Sequence, residues 1–413
     1  MYESSHLRIF TSISHALIYI FPLVILGREN YGGVILLLLT LLGGYVVFKD
    51  NINPFKHKQL RLISIISFFY FFSIILFIAL SKKLVTDIFY HSPGLVFFLF
   101  APLISLAIYK ANIDFGKFIS VIKIGLILIG LYALYKSTKT TLPTDRILWV
   151  SHIGSMLLVF SWININHEKK YHFLLTLISS ILAINAILLA GFRGHILALF
   201  ILSTLFLLLN NKYSINNQRN NLFAAFLVLI TILLIQFNPN VKDRFIDAAY
   251  NLQEWSNITI FNIEARNVVE KNINTSTGQR MEMYKTGLMA FKEKKIFGHG
   301  YLNTTSAASN FAKNEYVKKA IIQHTHLHNT YIDSLVFGGV TALLVVLILL
   351  LSPLLVFIQA FKNKQNTEHA TLGILLVTSY LLLGLTDTMI GGIFENTFYV
   401  FFLSIFLSKV TSE

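Results

Sequence analysis

An all-α polytopic membrane protein is the fold this sequence predicts, with about 12 transmembrane helices, each a run of roughly 20 apolar residues. Three observations carry it. Of 413 residues, 55% are hydrophobic and only 13% charged, against about 25% charged in soluble domains. The apolar residues gather in long runs separated by short polar connections. Cysteine is absent, which removes disulfide scaffolds, thiolate nucleophiles and Cys-ligated zinc or iron–sulfur centres.

In chain order the apolar cores are Phe10–Leu26, Tyr31–Phe48, Leu60–Leu80, Gly94–Tyr109, Phe118–Tyr135 and Ile147–Ile163. They continue with His172–Ala190, Gly194–Leu209, Leu222–Phe237, Thr330–Ala360, Thr371–Ile390 and Phe394–Val410. Arg8 precedes the first span, but no small-residue cleavage site follows, so it reads as an anchor rather than a removed signal. The net charge of +14 reports topology first, because excess Lys and Arg mark inner loops. With both termini inside (N-in, C-in), inner segments hold 14 Lys and Arg residues, from Arg8 to Lys409. The short outer loops hold 7: Arg28, Lys82, Lys83, Lys136, Lys139, Arg146 and Arg193. These basic residues are scattered rather than gathered in one patch, which argues against nucleic acid as a partner.

Three parts follow: spans one to nine over residues 1–237, a large outer loop over 238–328, and spans ten to twelve over 329–413. The loop carries two amphipathic helical stretches, one with Val241, Phe245, Ala249, Leu252 and Trp255, the other with Met281, Tyr284, Leu288 and Phe291. A loop of this length with its own helices is usually functional.

Two arginines, a cluster of three histidines and one carboxylate fall on the outer face. Arg193, between Gly191-Phe192 and Gly194, either snorkels to the interface or presents a bidentate fork to a phosphate. Arg280 follows Gly278-Gln279 at the start of the second amphipathic helix, where backbone N–H groups favour an anion; the plainer reading is a solvated loop arginine. His324, His326 and His328 alternate. If extended they present metal ligands, but no local motif supplies a third or fourth ligand of the usual spacing. One of them also suits a general base, since histidine titrates near neutrality, and the plain reading is surface histidines ahead of a helix. Asp387 lies near the outer end of the eleventh span, where an ionisable residue is costly and so a functional candidate, or else an interfacial carboxylate paired with a nearby cation. Lys123, one turn inside its span, reads as a snorkelling lysine without a functional role. Together, two arginines, a histidine and a carboxylate at one lipid–water boundary suit an anionic, lipid-borne substrate. Outside the cytoplasm no nucleoside triphosphate is at hand, so a transferred group must arrive activated, as on a lipid pyrophosphate.

At these residues the chain resembles the O-antigen ligases of Gram-negative bacteria, within the wider superfamily of O-antigen ligases and polymerases. The resemblance rests on Gly191-Phe192-Arg193-Gly194, Gly278-Gln279-Arg280-Met281-Glu282-Met283-Tyr284, His326-Leu327-His328-Asn329 with Tyr331 and Gly338, and Gly384-Leu385-Thr386-Asp387. It implies a multi-pass enzyme of the bacterial inner membrane, its site facing the periplasm. The implied activity moves O-antigen polysaccharide from undecaprenyl pyrophosphate to lipid A–core, by an inverting, metal-independent glycosyl transfer without a cofactor. By the same resemblance Arg193 and Arg280 bind the donor pyrophosphate and His328 deprotonates the acceptor hydroxyl. Asp387 is a required carboxylate that orients His328 or an arginine, and His326 helps place the acceptor.

Three alternatives stay open. An O-antigen polymerase shares the donor, and an oligosaccharyltransferase of the same superfamily is usually longer, with a soluble C-terminal part. A transporter or flippase of lipid-linked glycan would place its ionisable residues near mid-membrane.

Overall fold

The computed structural model describes residues 5–25, 29–58, 60–80, 93–137, 145–163, 170–213, 276–312 and 315–410, with isolated positions 225, 226, 229 and 246. Among the described residues every regular element is helical. The first eight helices are α1 (Ser5–Val24), α2 (Glu29–Asp50), α3 (Arg61–Leu80), α4 (Val96–Ala111), α5 (Phe115–Ser137), α6 (Asp145–Ser161), α7 (Lys170–Ala190) and α8 (Arg193–Tyr213). Then come α9 (Ser276–Glu293), the short α10 (Thr304–Ser309) and α11 (Glu315–Ile322), and finally α12 (Thr330–Lys362), α13 (Thr367–Leu383) and α14 (Ile393–Val410).

The protein is a polytopic membrane protein. Among the described residues, seven helices are long and apolar enough to cross a bilayer, and four shorter apolar ones (Arg8–Val24, Ser151–Ser161, Gly194–Asn210, Thr367–Leu383) accompany them. Helix is the natural choice here, because hydrocarbon offers no partner to a backbone N–H or C=O that the segment leaves unpaired. Leu37, Leu41, Phe48, Phe72, Leu128 and Leu197 are exposed apolar side chains on these helices, as lipid-facing positions should be. The innermost helix is α14, with Phe398 through Leu407 all buried; it packs against α2, α4 and α13. Phe401 stacks on Phe21 of α1 with ring centroids 3.6 Å apart.

Eleven of the twelve expected spans coincide with helices among the described residues, and the exceptions are informative. The ninth span and the first amphipathic stretch of the loop lie almost wholly outside the described residues. The helix of the eleventh span, α13, stops at Leu383 rather than running to Ile390, with Gly384 as its cap, so Asp387 sits in a loop and not on a helix. Lys123 does not snorkel: it is buried among the packed helices, 2% exposed. In α9 the expected apolar stripe (Met281, Tyr284, Leu288, Phe291) is only half-buried, and the buried face is Gly278, Glu282, Met283, Lys285, Thr286, Gly287 and Ala290. Small residues win there because α9 lies close against α12, where a Cβ on Gly287 would come within 2.8 Å of Ile332.

The tenth span is broken. Gly339 has φ 66° and ψ −157° inside α12, a conformation essentially closed to residues with a Cβ. The backbone groups freed by the break are taken up by the turn after α9: Val340 donates to the Lys295 carbonyl (2.8 Å), while His299 and Gly300 donate to Val336 and Phe337 (2.8 Å each). A Cβ at 339 would also meet the Ile296 backbone at 2.4 Å. Gly339→Ala is therefore expected to cost at least about 1–3 kcal/mol, read as a lowered unfolding temperature in detergent; an unchanged temperature would mean the break relaxes without strain.

Candidate active site

The site forms where the start of α12 meets the loop after α13. Asn329 caps α12: its Oδ1 accepts from the N–H groups of Tyr331 and Ile332 (3.0 Å each), and its Nδ2 donates to the Leu385 carbonyl (2.9 Å). Such a cap meets two of the orphan donors at a helix start. Thr330 ties the same junction, donating N–H to Gly384 (2.8 Å) and its hydroxyl to the Asp387 carbonyl (3.1 Å), and accepting from Met389 N–H (2.9 Å). Buried Asp333 accepts from Leu327 N–H (2.9 Å) and from the Thr388 hydroxyl. Buried backbone polar groups require partners, and these bonds fix the 327–330 and 384–389 segments against each other.

That junction sets His328 beside Asp387. His328 sits in the left-handed region with φ 52°, a conformation that costs a non-glycine residue roughly 1–3 kcal/mol and gathers at functional sites. Its Nδ1 lies 3.1 Å from Asp387 Oδ1, and its Nε2 lies 3.3 Å from His324 Nδ1. His326 folds alongside, with ring centroids 4.4 Å apart and its Nδ1 accepting the His328 backbone N–H at 3.2 Å. The three histidines thus lie in a loop, and His324 and His326 both pack against the His328 ring.

From the other side comes a residue the sequence reading passed over. His152 of α6 places Nε2 3.5 Å from Asp387 Oδ2, while neither of its ring nitrogens has a hydrogen-bond partner among the described residues. His195 of α8 stands edge-on to it, centroids 4.0 Å apart, with Nδ1 bonded to the Ser151 hydroxyl. A lone histidine in an apolar run is an ionisable residue inside a span, and that signal was available at both positions. Asp387 is consequently shared between two donor groups able to hold a metal, His152–His195–Asp387 and His326–His328–Asp387, with donor atoms within 4.8 Å of one another in each. The third ligand missing from local spacing is supplied by tertiary structure.

Electrostatics follow from this packing. Burial alone would raise the Asp387 pKa, but the contacts of His152 and His328 outweigh it and hold the carboxyl well below its usual range. Asp387 is thus an anion between two imidazoles. Burial lowers His324 and His326, assisted by the neighbouring histidines and Arg280. Their folded pKa values lie below the unfolded value near 6.5, so the unfolded chain binds more protons as pH falls through that window, and stability declines with it. A thermal-unfolding series from pH 8 to 5 should show this decline, flattened in a His324→Asn/His326→Asn double variant; equal slopes would refute it.

Arg280 reaches the same loop, its Nη1 donating to the Thr386 carbonyl at 2.6 Å. One turn on, Tyr284 donates its hydroxyl to the His328 carbonyl (2.8 Å) and contacts that of Leu385 (3.3 Å). Burial, only partly offset by the Arg280 charge, pushes this phenol up to about 12, so it stays a donor. Arg193 is the first residue of α8; its side chain lies outside the described residues. Its neighbour Gly194 abuts Thr386, where a Cβ would lie 2.6 Å from Oγ1, so the α8 start borders the loop that Arg280 touches. Of the five residues expected from sequence, His326, His328, Arg280 and Asp387 converge, and the backbone of Arg193 borders them.

Comparison with known proteins bears on this arrangement. The family model described as O-antigen ligase matches residues 178–347. The chain carries an O-antigen ligase family domain. That region contains Arg193, Arg280 and the histidine loop, whereas His152 and Asp387 lie outside it. An uncharacterized protein of Haemophilus influenzae is 26% identical over 411 residues, covering 97% of this chain and 98% of that protein. The O-antigen ligase of Escherichia coli K12 is 22% identical over 388 residues, covering 91% and 82% respectively.

Proposed function

We propose that this protein is an O-antigen ligase, transferring a polysaccharide from undecaprenyl pyrophosphate to lipid A–core at the periplasmic face of the inner membrane. The reading takes twelve spans with both termini inside, so that the Arg280–His328–Asp387 site faces outward. The observation that carries it is the His328–Asp387 pair at 3.1 Å, joined at one loop by Arg280. In a single displacement the acceptor hydroxyl oxygen attacks the anomeric carbon, the bond from that carbon to the phosphate oxygen breaks, and configuration inverts. His328 Nε2 takes the hydroxyl proton, the acceptor replacing His324 at that nitrogen. Asp387 holds Nδ1–H, fixing the tautomer and balancing the imidazolium that forms, a division of labour shared by other histidine–carboxylate pairs. Arg280 and Arg193 neutralise charge growing on the departing pyrophosphate; the five N–H donors of a guanidinium let Arg280 keep Thr386 and still meet a phosphate.

Transfer by the purified protein, with donor glycan and with or without lipid A–core, tests this. Product only in the presence of lipid A–core is the expected result. Longer donor-linked glycan without it would make the protein a polymerase, and no product in either case would favour transport. Arg193→Lys supplies a second test: losing the bidentate fork should weaken donor binding about tenfold or more, and unchanged donor affinity would return Arg193 to a snorkelling role.

A further inference from the structure

α12 contains 33 residues, about 50 Å of helix where about 30 Å spans a hydrocarbon core. The break at Gly339 divides it, and residues 340–362 alone reach about 34 Å. Exposed apolar side chains run down one face from the break: Val340, Leu344, Ile348, Leu351 and Leu355. No large apolar side chain of residues 330–339 is exposed. Lipid contact on this helix therefore begins at Val340, at the end of the bundle that carries the candidate site.

The turn after α9 is bonded to the helix at that level. Val340 N–H donates to the Lys295 carbonyl, and the Thr341 hydroxyl donates to the Ile296 carbonyl at 2.8 Å. Gly298, with φ 61°, lies so close to α12 that a Cβ would meet the Gly338 nitrogen at 2.4 Å. This leaves the turn no room to withdraw, yet its side chains face outward: Ile296 is 61% and Phe297 57% exposed. Lys292, Lys294 and Lys295 are exposed beside them, and among the described residues none of the three forms an ion pair. Two large apolar side chains beside three lysines that outnumber the one exposed carboxylate among them, Glu293, rigidly held where a lipid-facing stripe begins, match the chemistry of an anionic bilayer surface. Acyl chains accept the Ile and Phe, and headgroup phosphates accept the ammonium groups.

We propose that residues 292–297 are a lipid anchor: Ile296 and Phe297 enter the bilayer level with Val340, and Lys292, Lys294 and Lys295 bind the phosphates of anionic phospholipids. The anchor fixes α9, and with it Arg280 and Tyr284, relative to the membrane surface. It does not depend on which reaction the site performs.

Because the chain has no cysteine, a single introduced thiol is a unique label. Phe297→Cys, carrying an environment-sensitive fluorophore, is reconstituted in vesicles of phosphatidylethanolamine and phosphatidylglycerol. Lys319→Cys on α11 serves as an aqueous control and Leu344→Cys as a membrane control. The label at 297 should emit as at 344 and be quenched by lipid-borne nitroxide; emission and iodide quenching like those at 319 would overturn insertion. Nitroxide on phosphatidylglycerol should quench it at least about twofold more than nitroxide on phosphatidylcholine. That preference should vanish in the Lys292→Gln/Lys294→Gln/Lys295→Gln background and at high salt; a preference that survives both would overturn the headgroup role.

Discussion

Replacing His328 by Ala is expected to lower the rate of transfer about 10²–10⁴-fold, the usual worth of a positioned general base, with donor binding little changed. The imidazole at the α12 start has a carboxylate behind one ring nitrogen, Asp387 Oδ1 at 3.1 Å from Nδ1, which leaves Nε2 to meet an acceptor hydroxyl. Truncation leaves that carboxylate with His152 and the Thr388 N–H, which still bonds Oδ1 at 2.9 Å, so the loop should hold. His328→Asn is the sharper variant, because Asn tolerates the left-handed backbone found at this position and keeps a polar side chain that is not a base. Equal losses in both, with unchanged thermal unfolding, would identify proton transfer as what was lost. Near wild-type turnover in either would remove His328 from the mechanism.

Asp387→Asn is expected to cost about 10²–10⁴-fold as well, by a different route. An amide in place of the carboxylate no longer favours Nδ1–H on His328 and no longer balances an imidazolium; at other histidine–carboxylate sites the loss reaches about 10⁴. Since Asp387 acts through His328, the two losses should not add: the double variant should be no slower than His328→Ala alone. Full additivity would mean that Asp387 has a separate task. The acid side carries a further consequence. With a pKa held well below its usual range, Asp387 contributes stability that is complete above the unfolded carboxylate value near 3.9. That contribution is lost only as pH falls through the lower folded value. Protonation of Asp387 therefore does not account for activity lost in mildly acidic buffer.

The bundle was legible because hydropathy acts over whole spans: about 20 apolar residues cross a membrane whatever their order. Finer features depend on contacts that no single segment encodes. The break at Gly339 reads in sequence as one more small residue in an apolar run, and only the docked 295–300 turn, supplying carbonyls to Val340 and Thr341, makes it tenable. His326, His328, Arg280 and Asp387 were visible as polar residues at span ends or in the large loop, yet what joins them is the bonding of Asn329, Thr330 and Arg280 to the 384–389 loop. His152 and His195 were missed because each stands alone in its run. Their meaning comes from α6 and α8 meeting beside Asp387, which turns two isolated imidazoles into part of a cluster of five histidines and one carboxylate.

That cluster also poses the choice on which the mechanism rests, because His152, His195 and Asp387 are equally a set of metal ligands. The deciding measurement is single-turnover transfer to lipid A–core by the purified wild-type protein after exhaustive chelation, alongside a sample reloaded with zinc. If His328 and its carboxylate activate the acceptor, the chelated protein transfers at the full rate and zinc adds nothing. Transfer abolished by the chelator and restored by zinc would contradict this and make Asp387 a metal ligand instead of the partner of a base.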